Sequence, residues 1–400
     1  MRSVSPIVHA FRRRSVVVLL TLAAIVPASV YAQTPTLQWS KADAEALLRV
    51  IDAADGEGLD PQTYNAELLR RAVARDLPMP SVLTNTAMRL ASDFRYGRVT
   101  GADRVDWHSR EAPNSLLLTQ IVTQAVAENR IEEAFEHMLP QHDDYRALKR
   151  TLAATPVSDA ARRMTLRVNL ERWRWMPREL GDKHVFVNIP AYRVELIDGG
   201  GVVAEHAAIV GKPSTPTPSF STEIRAMRFN PGWTVPPGLK KQKISLYKRN
   251  PAAAKRLGYS LSYTPDGVSI WQKPGPANAL GQVRVVMPNP YMIYLHDTPD
   301  KAQFAKDSRA LSQGCVRTER PVEFAERLLA DDGTDTSVID SALATRATKE
   351  IALNHLVPVH IAYFTADADA SGVVKLLPDP YDRDARVARA LAGAVQVALK

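Results

Sequence analysis

Among 400 residues there is one cysteine, Cys315, so no disulfide can close within the chain. Zinc is disfavoured as well: Cys315 with His296, His355 and His360 shows no recognised ligand spacing, and the "HDTPD" stretch is not an HExxH site. "GKPSTP" at 211–216 lacks the glycine and Lys-Ser/Thr order of a phosphate-binding loop. No metal and no cofactor is therefore expected. Beyond the first 32 residues neither a Lys/Arg run nor basic–aromatic interleaving suggests nucleic-acid binding. Internal repeats and low-complexity segments are lacking, and beyond the first 32 residues so is any apolar run long enough for a spanning helix.

What is present begins with "MRSVSPIVHAFRRRSVVVLLTLAAIVPASVYAQTP": Arg12, Arg13 and Arg14, an apolar run from Val16 to Val26, then small residues ending at Ala32. This is the layout of an export signal, predicted to be cleaved near Ala32. As a retained anchor the run falls short of the roughly 20 residues a spanning helix needs. The whole chain carries 51 basic and 43 acidic side chains, and four of the basic ones lie in that signal. Residues 33–150 hold 14 basic against 18 acidic, and the remainder 33 against 25. Such an asymmetry suits a cationic site for an anionic substrate, and equally an ordinary solvated surface.

The length predicts about two domains, and the texture of the sequence agrees. Over 33–155 apolar residues recur at helical spacing, as in "ADAEALLRVIDAA", "NTAMRLASDF" and "LLLTQIVTQAVAENRIEEAFEHML", with turn chemistry in "DGEGLDP" and "PMP" between them. A further helix, "DAARRMTLRVNLERWRW", falls in a linking segment, 156–181, and is predicted to pack Leu166, Leu170 and Trp173 on the next domain. From 182 to 366 the period becomes two. "HVFVNIP", "YRVELID", "GVVAEHAAIV", "EIRAMRF", "VSIWQ", "QVRVVMP", "YMIYLH" and "VPVHIAYF" read as strands, with "DGGG" at 198–201 as a hairpin turn. The Pro-rich, basic and partly helical insertion within 231–280 is a candidate lid, or a tolerated surface excursion. Residues 367–400 form a C-terminal extension ending in an amphipathic helix. The predicted fold class is α+β: a helical N-terminal domain and a mainly β domain with a lid.

An exported thiol that cannot pair calls for a use, although a buried, inert cysteine serving as a small apolar residue stays open at this point. Its surroundings, "YLHDTPDKAQFAKDSRALSQGCVR", place His296 at the end of a predicted strand, 19 positions before Cys315. A thiol reacts as thiolate, and a neighbouring imidazole can take its proton, so Cys315 and His296 read as nucleophile and base. Gly314 suits a tight turn in which the N–H groups of Gln313, Gly314 and Cys315 converge on an oxyanion. Arg317 could bind a substrate carboxylate or steady the turn.

These residues resemble the L,D-transpeptidases with a YkuD-type catalytic domain, in their large periplasmic branch. "DFRYGRV" at 93–99 and "DWH" at 106–108 resemble that branch's scaffold domain. "LRVNLERWRWMPRELGDKHVFVNIPAYRVEL", "IVGKPSTPTPSFS", "FNPGWTVPP", "PGPANALGQVR", "YLHDTP" and "SRALSQGCVR" resemble its catalytic signatures, in the same order. The resemblance implies a sandwich-like catalytic domain in the periplasm, with Cys315 acylated and His296 as its base. Tyr294, Trp233 and Arg317 would line the donor site, together with Ser312 and Gln313 of the turn.

Two departures stand out. Gln313 occupies a position where many relatives have histidine, and it cannot titrate. No peptidoglycan-binding module separates scaffold from catalytic domain, so wall targeting must come from the groove, the scaffold or a partner protein. The implied reaction is attack by Cys315 on the third residue of a tetrapeptide stem, release of the terminal D-alanine and transfer to an amine of a neighbouring stem. An L,D-carboxypeptidase or other wall hydrolase of the same fold, and a non-catalytic peptidoglycan-binding protein, are the alternatives.

Overall fold

Apolar residues spaced three and four apart become seven α-helices in the first half of the computed structural model, which describes residues 37–109, 111–265 and 267–397. The helices are α1 (Lys41–Ala53), α2 (Ala66–Ala74), α3 (Pro80–Tyr96), α4 (Ser115–Ala127), α5 (Ile131–Met138), α6 (Asp143–Ala154) and α7 (Ala160–Trp175). Local chemistry sets their starts. Ser40 Oγ accepts the Asp43 N–H while Asp43 accepts the Ser40 N–H, a reciprocal cap on α1, and Pro80 opens α3 where its missing N–H costs nothing. The export signal lies outside the described residues.

Helix α7 joins the two halves. Leu166, Leu170 and Trp173 are buried, and the Trp173 ring lies 4.7 Å from that of Phe364 and 6.2 Å from that of Phe186. The tryptophan is core, as its period suggests. On the scaffold side, fully buried Glu171 accepts the N–H of Val99 at 2.7 Å and that of the Trp175 indole at 3.1 Å, and pairs with Arg174 at 3.0 Å. Gly97 is required here, because a Cβ would come within 2.6 Å of the Trp175 indole nitrogen. Asp93 accepts from Tyr64 at 2.8 Å and pairs with Arg98 at 3.1 Å. The "DFRYGRV" signature thus seats the scaffold on α7.

The β domain comprises β1 (Lys183–Asn188), β2 (Arg193–Asp198), β3 (Gly201–Gly211), β4 (Phe220–Phe229), β5 (Trp233–Thr234), β6 (Tyr259–Thr264), β7 (Gly267–Gln272), β8 (Val283–Val286), β9 (Leu295–His296), β10 (Ala310–Ser312), β11 (Val316–Thr318) and β12 (Lys349–Ala362). Nine of these form one sheet in the order β10-β3-β11-β9-β8-β4-β12-β1-β2, and β3 also pairs with β2. The sandwich-like expectation is met by a sheet that closes on itself through β3. Asp198 pairs with Gly201, as the "DGGG" turn predicts. The insertion folds as helices α8 (Pro237–Arg249) and α9 (Pro251–Arg256) on a separate sheet, β5-β7-β6, with a small core of Val235, Ala254, Tyr259 and Ile270. Helices α10 (Pro321–Ala330), α11 (Thr336–Ala344) and α12 (Asp384–Val397) complete the element set used below.

Scaffold and sheet share one continuous apolar core, running from Leu47 through Trp173 to Leu295, and Thr36–Lys400 forms one compact unit. A second seam lies at "DWH". The Trp107 backbone bridges to Ser219, the His108 N–H donates to the Ser219 carbonyl at 2.7 Å, and the His108 ring stacks 4.6 Å from Tyr291 in the loop before β9.

Candidate active site

Parallel pairing of β9 with β11 brings the sequence-distant residues together. Val316 faces Leu295, Arg317 faces His296, and the Val316 N–H donates to the Tyr294 carbonyl at 3.0 Å. Cys315 is therefore level with Tyr294 and diagonal to His296. With strands about 4.8 Å apart and side chains alternating, Cys315, Arg317, Tyr294 and His296 share one face. Diagonal neighbours at about 7–8 Å between Cα atoms are within side-chain reach of one another.

His296 is buried, and its Nδ1 bonds to the backbone carbonyl of Asp297. A carbonyl can only accept, so the proton sits on Nδ1 and Nε2 keeps its lone pair. Burial pushes the imidazole pKa down to about 4, with Arg317 and Arg284 adding to the effect and the Asp297 carbonyl opposing it. The ring is neutral at pH 7. Asp297 is itself fixed: its carboxylate accepts the N–H groups of Gln282 at 2.8 Å and Thr298 at 2.6 Å, and pairs with Lys301. Its role in orienting the base was not read from the sequence, and its place directly after His296 is the only signal there.

The half-buried Cys315 thiol points toward the Met292 carbonyl, 3.8 Å from Sγ. Burial raises its pKa, while a hydrogen bond from the Tyr294 backbone and the charges of Arg317 and Arg284 pull it back. A raised thiol beside a depressed imidazole means that the resting pair is neutral. A thiol proton passing to Nε2 in such a pair would have to move with attack on a bound carbonyl rather than before it.

The turn carrying Cys315 departs from the expected arrangement. The Gly314 N–H donates to Ser312 Oγ at 3.1 Å, and the Ser312 hydroxyl donates to the Cys315 carbonyl at 2.6 Å. Of the three N–H groups expected to converge on an oxyanion, that of Gly314 is thus committed within the turn, which leaves Gln313 and Cys315 for that role. Ser312 is buried and braces the turn instead of reaching outward as a substrate contact. Gln313 is exposed. Arg317 donates to Gln303 at 2.9 Å, which anchors it beside the thiol. Trp233 packs against the insertion's own core, with the Lys243 ammonium 6.0 Å from its ring.

Gly314 has φ +115°, a region closed to residues with a Cβ, and an added methyl would also press on Ile293 Cδ1 at 3.3 Å. Its carbonyl accepts from Thr217 Oγ1 at 2.7 Å, and Thr217 in turn is held by Tyr381, whose hydroxyl also donates to the Gly211 carbonyl. The Gly314→Ala variant is expected to lose about 1–3 kcal/mol of stability and to acylate more slowly, read by thermal unfolding beside the rate of thiol acylation. Parental values of both would show that the turn tolerates a side chain.

Among the described residues no group of three or more His, Cys, Asp or Glu side chains could hold a metal ion. Residues 182–346 match the L,D-transpeptidase catalytic domain (YkuD), and residues 28–152 match the Scaffold domain. A Haemophilus influenzae protein named "Putative L,D-transpeptidase" is 28% identical over 284 residues, 66% of this chain; the chain spans 57% of that relative's length. Among solved structures, an Enterococcus faecium L,D-transpeptidase is 13% identical, covering 46% of this chain and 51% of its own, with a TM-score of 0.25. One from Mycobacterium smegmatis is 14% identical, covering 45% and 58%, with a TM-score of 0.24. Superpositions that loose establish nothing further, and the two domain matches carry the assignment. Following one another along most of the chain, with His296 and Cys315 both inside the second, they show that this chain carries an N-terminal Scaffold domain and an L,D-transpeptidase catalytic domain of the YkuD type.

Proposed function

We propose that this protein is an exported, periplasmic enzyme that cross-links peptidoglycan stem peptides through an acyl-thioester on Cys315. The observation that carries the reading is the placement of the Cys315 thiol and a neutral His296, with Nε2 unprotonated, on one face of adjacent strands in the matched catalytic domain. The thiol attacks the carbonyl of the third residue of a tetrapeptide donor and His296 takes its proton. That proton leaves with the amine of the terminal D-alanine as the amide bond breaks. An amine of a second stem then attacks the thioester, forming a new amide and freeing the thiol. The energy of the old amide is carried into the new one, so no ATP is needed. The direct test is incubation with purified tetrapeptide muropeptide and mass analysis of products. Cross-linked dimer with free D-alanine supports the reading, and tripeptide alone would make the protein a hydrolase.

Water competes with the amine for the thioester, and we assign its exclusion to the insertion. Asn230 anchors its departure from β4, the N–H bonding to the Gln282 carbonyl at 2.8 Å and Nδ2 to the Ala342 carbonyl at 2.9 Å. Its return enters β8, where Arg284 faces His296. Replacing 237–256 by a short Gly/Ser linker is expected to shift products from dimer toward tripeptide by severalfold while Cys315 still acylates. An unchanged ratio in the same assay would make the insertion a bystander.

A further inference from the structure

A row of residues crosses the sheet at the level of the base. Glu350 on β12 faces Arg228 on β4, which faces Arg284 on β8, which faces His296 on β9, which faces Arg317 on β11. Directly paired residues lie on the same face of a sheet, so these side chains form one band. Two of its three arginines are partnered: Arg228 is paired with Glu350, and Arg317 is bonded to Gln303 through one terminal nitrogen, although its Nε is buried without a partner. Arg284 is not. Among the described residues its guanidinium makes no hydrogen bond or ion pair, and its Nε is buried without a partner. The guanidinium carbon lies 4.7 Å from the centre of the Tyr294 ring. Arg284 is only partly exposed, and a partly desolvated cation with unsatisfied donors is improved by an anion that completes it.

We propose that Arg284 is the binding residue for the terminal carboxylate of the donor peptide, the carboxylate of the residue that departs when Cys315 is acylated. The inference rests on the donor assigned above, and the register supports the assignment. Tyr294 stands level with Cys315 on the neighbouring strand, and Arg284 covers the Tyr294 ring from the strand beyond. A donor carbonyl at Sγ has its terminal carboxylate only three bonds away on the leaving side. Laid across Tyr294, that group meets the free donors of Arg284, whose planar fork can hold both oxygens. Arg317, anchored by Gln303, instead remains beside the thiol. The arrangement selects a donor ending in a free carboxylate one residue beyond the attacked carbonyl. A longer stem, whose next carbonyl is uncharged, gains nothing from Arg284.

The test measures binding without turnover. Cys315→Ala protein is titrated with a tetrapeptide stem ending in a free carboxylate and with the same stem ending in a carboxamide, and the titrations are repeated in Cys315→Ala/Arg284→Gln and Cys315→Ala/Arg284→Lys. With Arg284 present the carboxamide should bind at least tenfold more weakly. In the Arg284→Gln protein the two ligands should differ by less than twofold, and Arg284→Lys should recover part of the preference as a point charge. Equal binding of the two ligands with Arg284 present, or a preference that survives in Arg284→Gln, overturns the proposal. A variant that fails to fold leaves the comparison of the two ligands on Cys315→Ala, and on the Arg284→Lys protein, to decide. Failure of the cross-linking reading is seen separately, as absence of turnover by the parent protein with its cysteine intact.

Discussion

Cys315→Ala is expected to remove all detectable turnover of a tetrapeptide donor and to abolish the mass gain that the parent protein shows with a carbapenem, whose strained carbonyl imitates the donor amide. The expectation is this strong because the chain has no second thiol to form the thioester. The loss should leave the fold intact: Cys315 is half-buried, its Sγ makes a long contact to the Met292 carbonyl and a hydrogen bond with the Tyr294 backbone, and the turn itself is held by Ser312 and Thr217. Circular dichroism and thermal unfolding should therefore match the parent closely. An adduct on the alanine variant would place the nucleophile elsewhere.

The second large effect concerns the base. His296→Ala should slow acylation by roughly a hundredfold to ten-thousandfold, the usual contribution of a positioned general base. The pH profile separates this role from a structural one. His296 must be neutral to accept the thiol proton, and its pKa is pushed down to about 4, so the fraction competent as base stays near one from neutrality down to about pH 5. The rate constant for acylation should then fall as pH drops through about 4, and not through the ordinary imidazole value near 6.5. The alanine variant should lack that acid limb. A limb near 6.5 in the parent would mean that the imidazole is more hydrated than its buried position allows.

The scaffold helices were legible because each spans several turns, long enough for the 3.6-residue period to show, and their breaks carry Gly and Pro. Strands of six or more residues were equally readable. The shortest ones were not: β9, β10 and β11 hold two or three residues each, too few for alternation, and the site is built from two of them. "YMIYLH" reads as one strand, yet only Leu295–His296 is extended and paired, because Asn289 binds the loop ahead of it and Met292 takes φ +56°. Helix α10 had a readable signal in Pro321 at its start and Phe324 and Leu328 on one face, and that signal was passed over.

At the site, chemistry was legible and support was not. Cys315 and His296 are conspicuous because of what their side chains can do. Asp297 meets His296 as its neighbour in the chain, whereas Thr217 and Arg284 reach the site through long-range pairing that no local pattern encodes. Thr217 reaches Gly314 across 97 residues, and Arg284 faces His296 only after β8 and β9 pair. A tight turn at Gly314 was legible, but the commitment of its N–H to Ser312, which accompanies the positive φ there, was not.

The central claim is that Cys315 becomes acylated by the donor with loss of its terminal residue. It is tested most directly by mixing the parent protein with tetrapeptide stem, quenching in acid within seconds, and measuring the intact mass followed by peptide mapping. The account predicts an added mass equal to that of the donor less one free alanine, confined to the peptide containing Cys315 and absent from the His296→Ala protein at the same time point. Product formation with no adduct on Cys315, or an adduct retaining the terminal alanine, would contradict it.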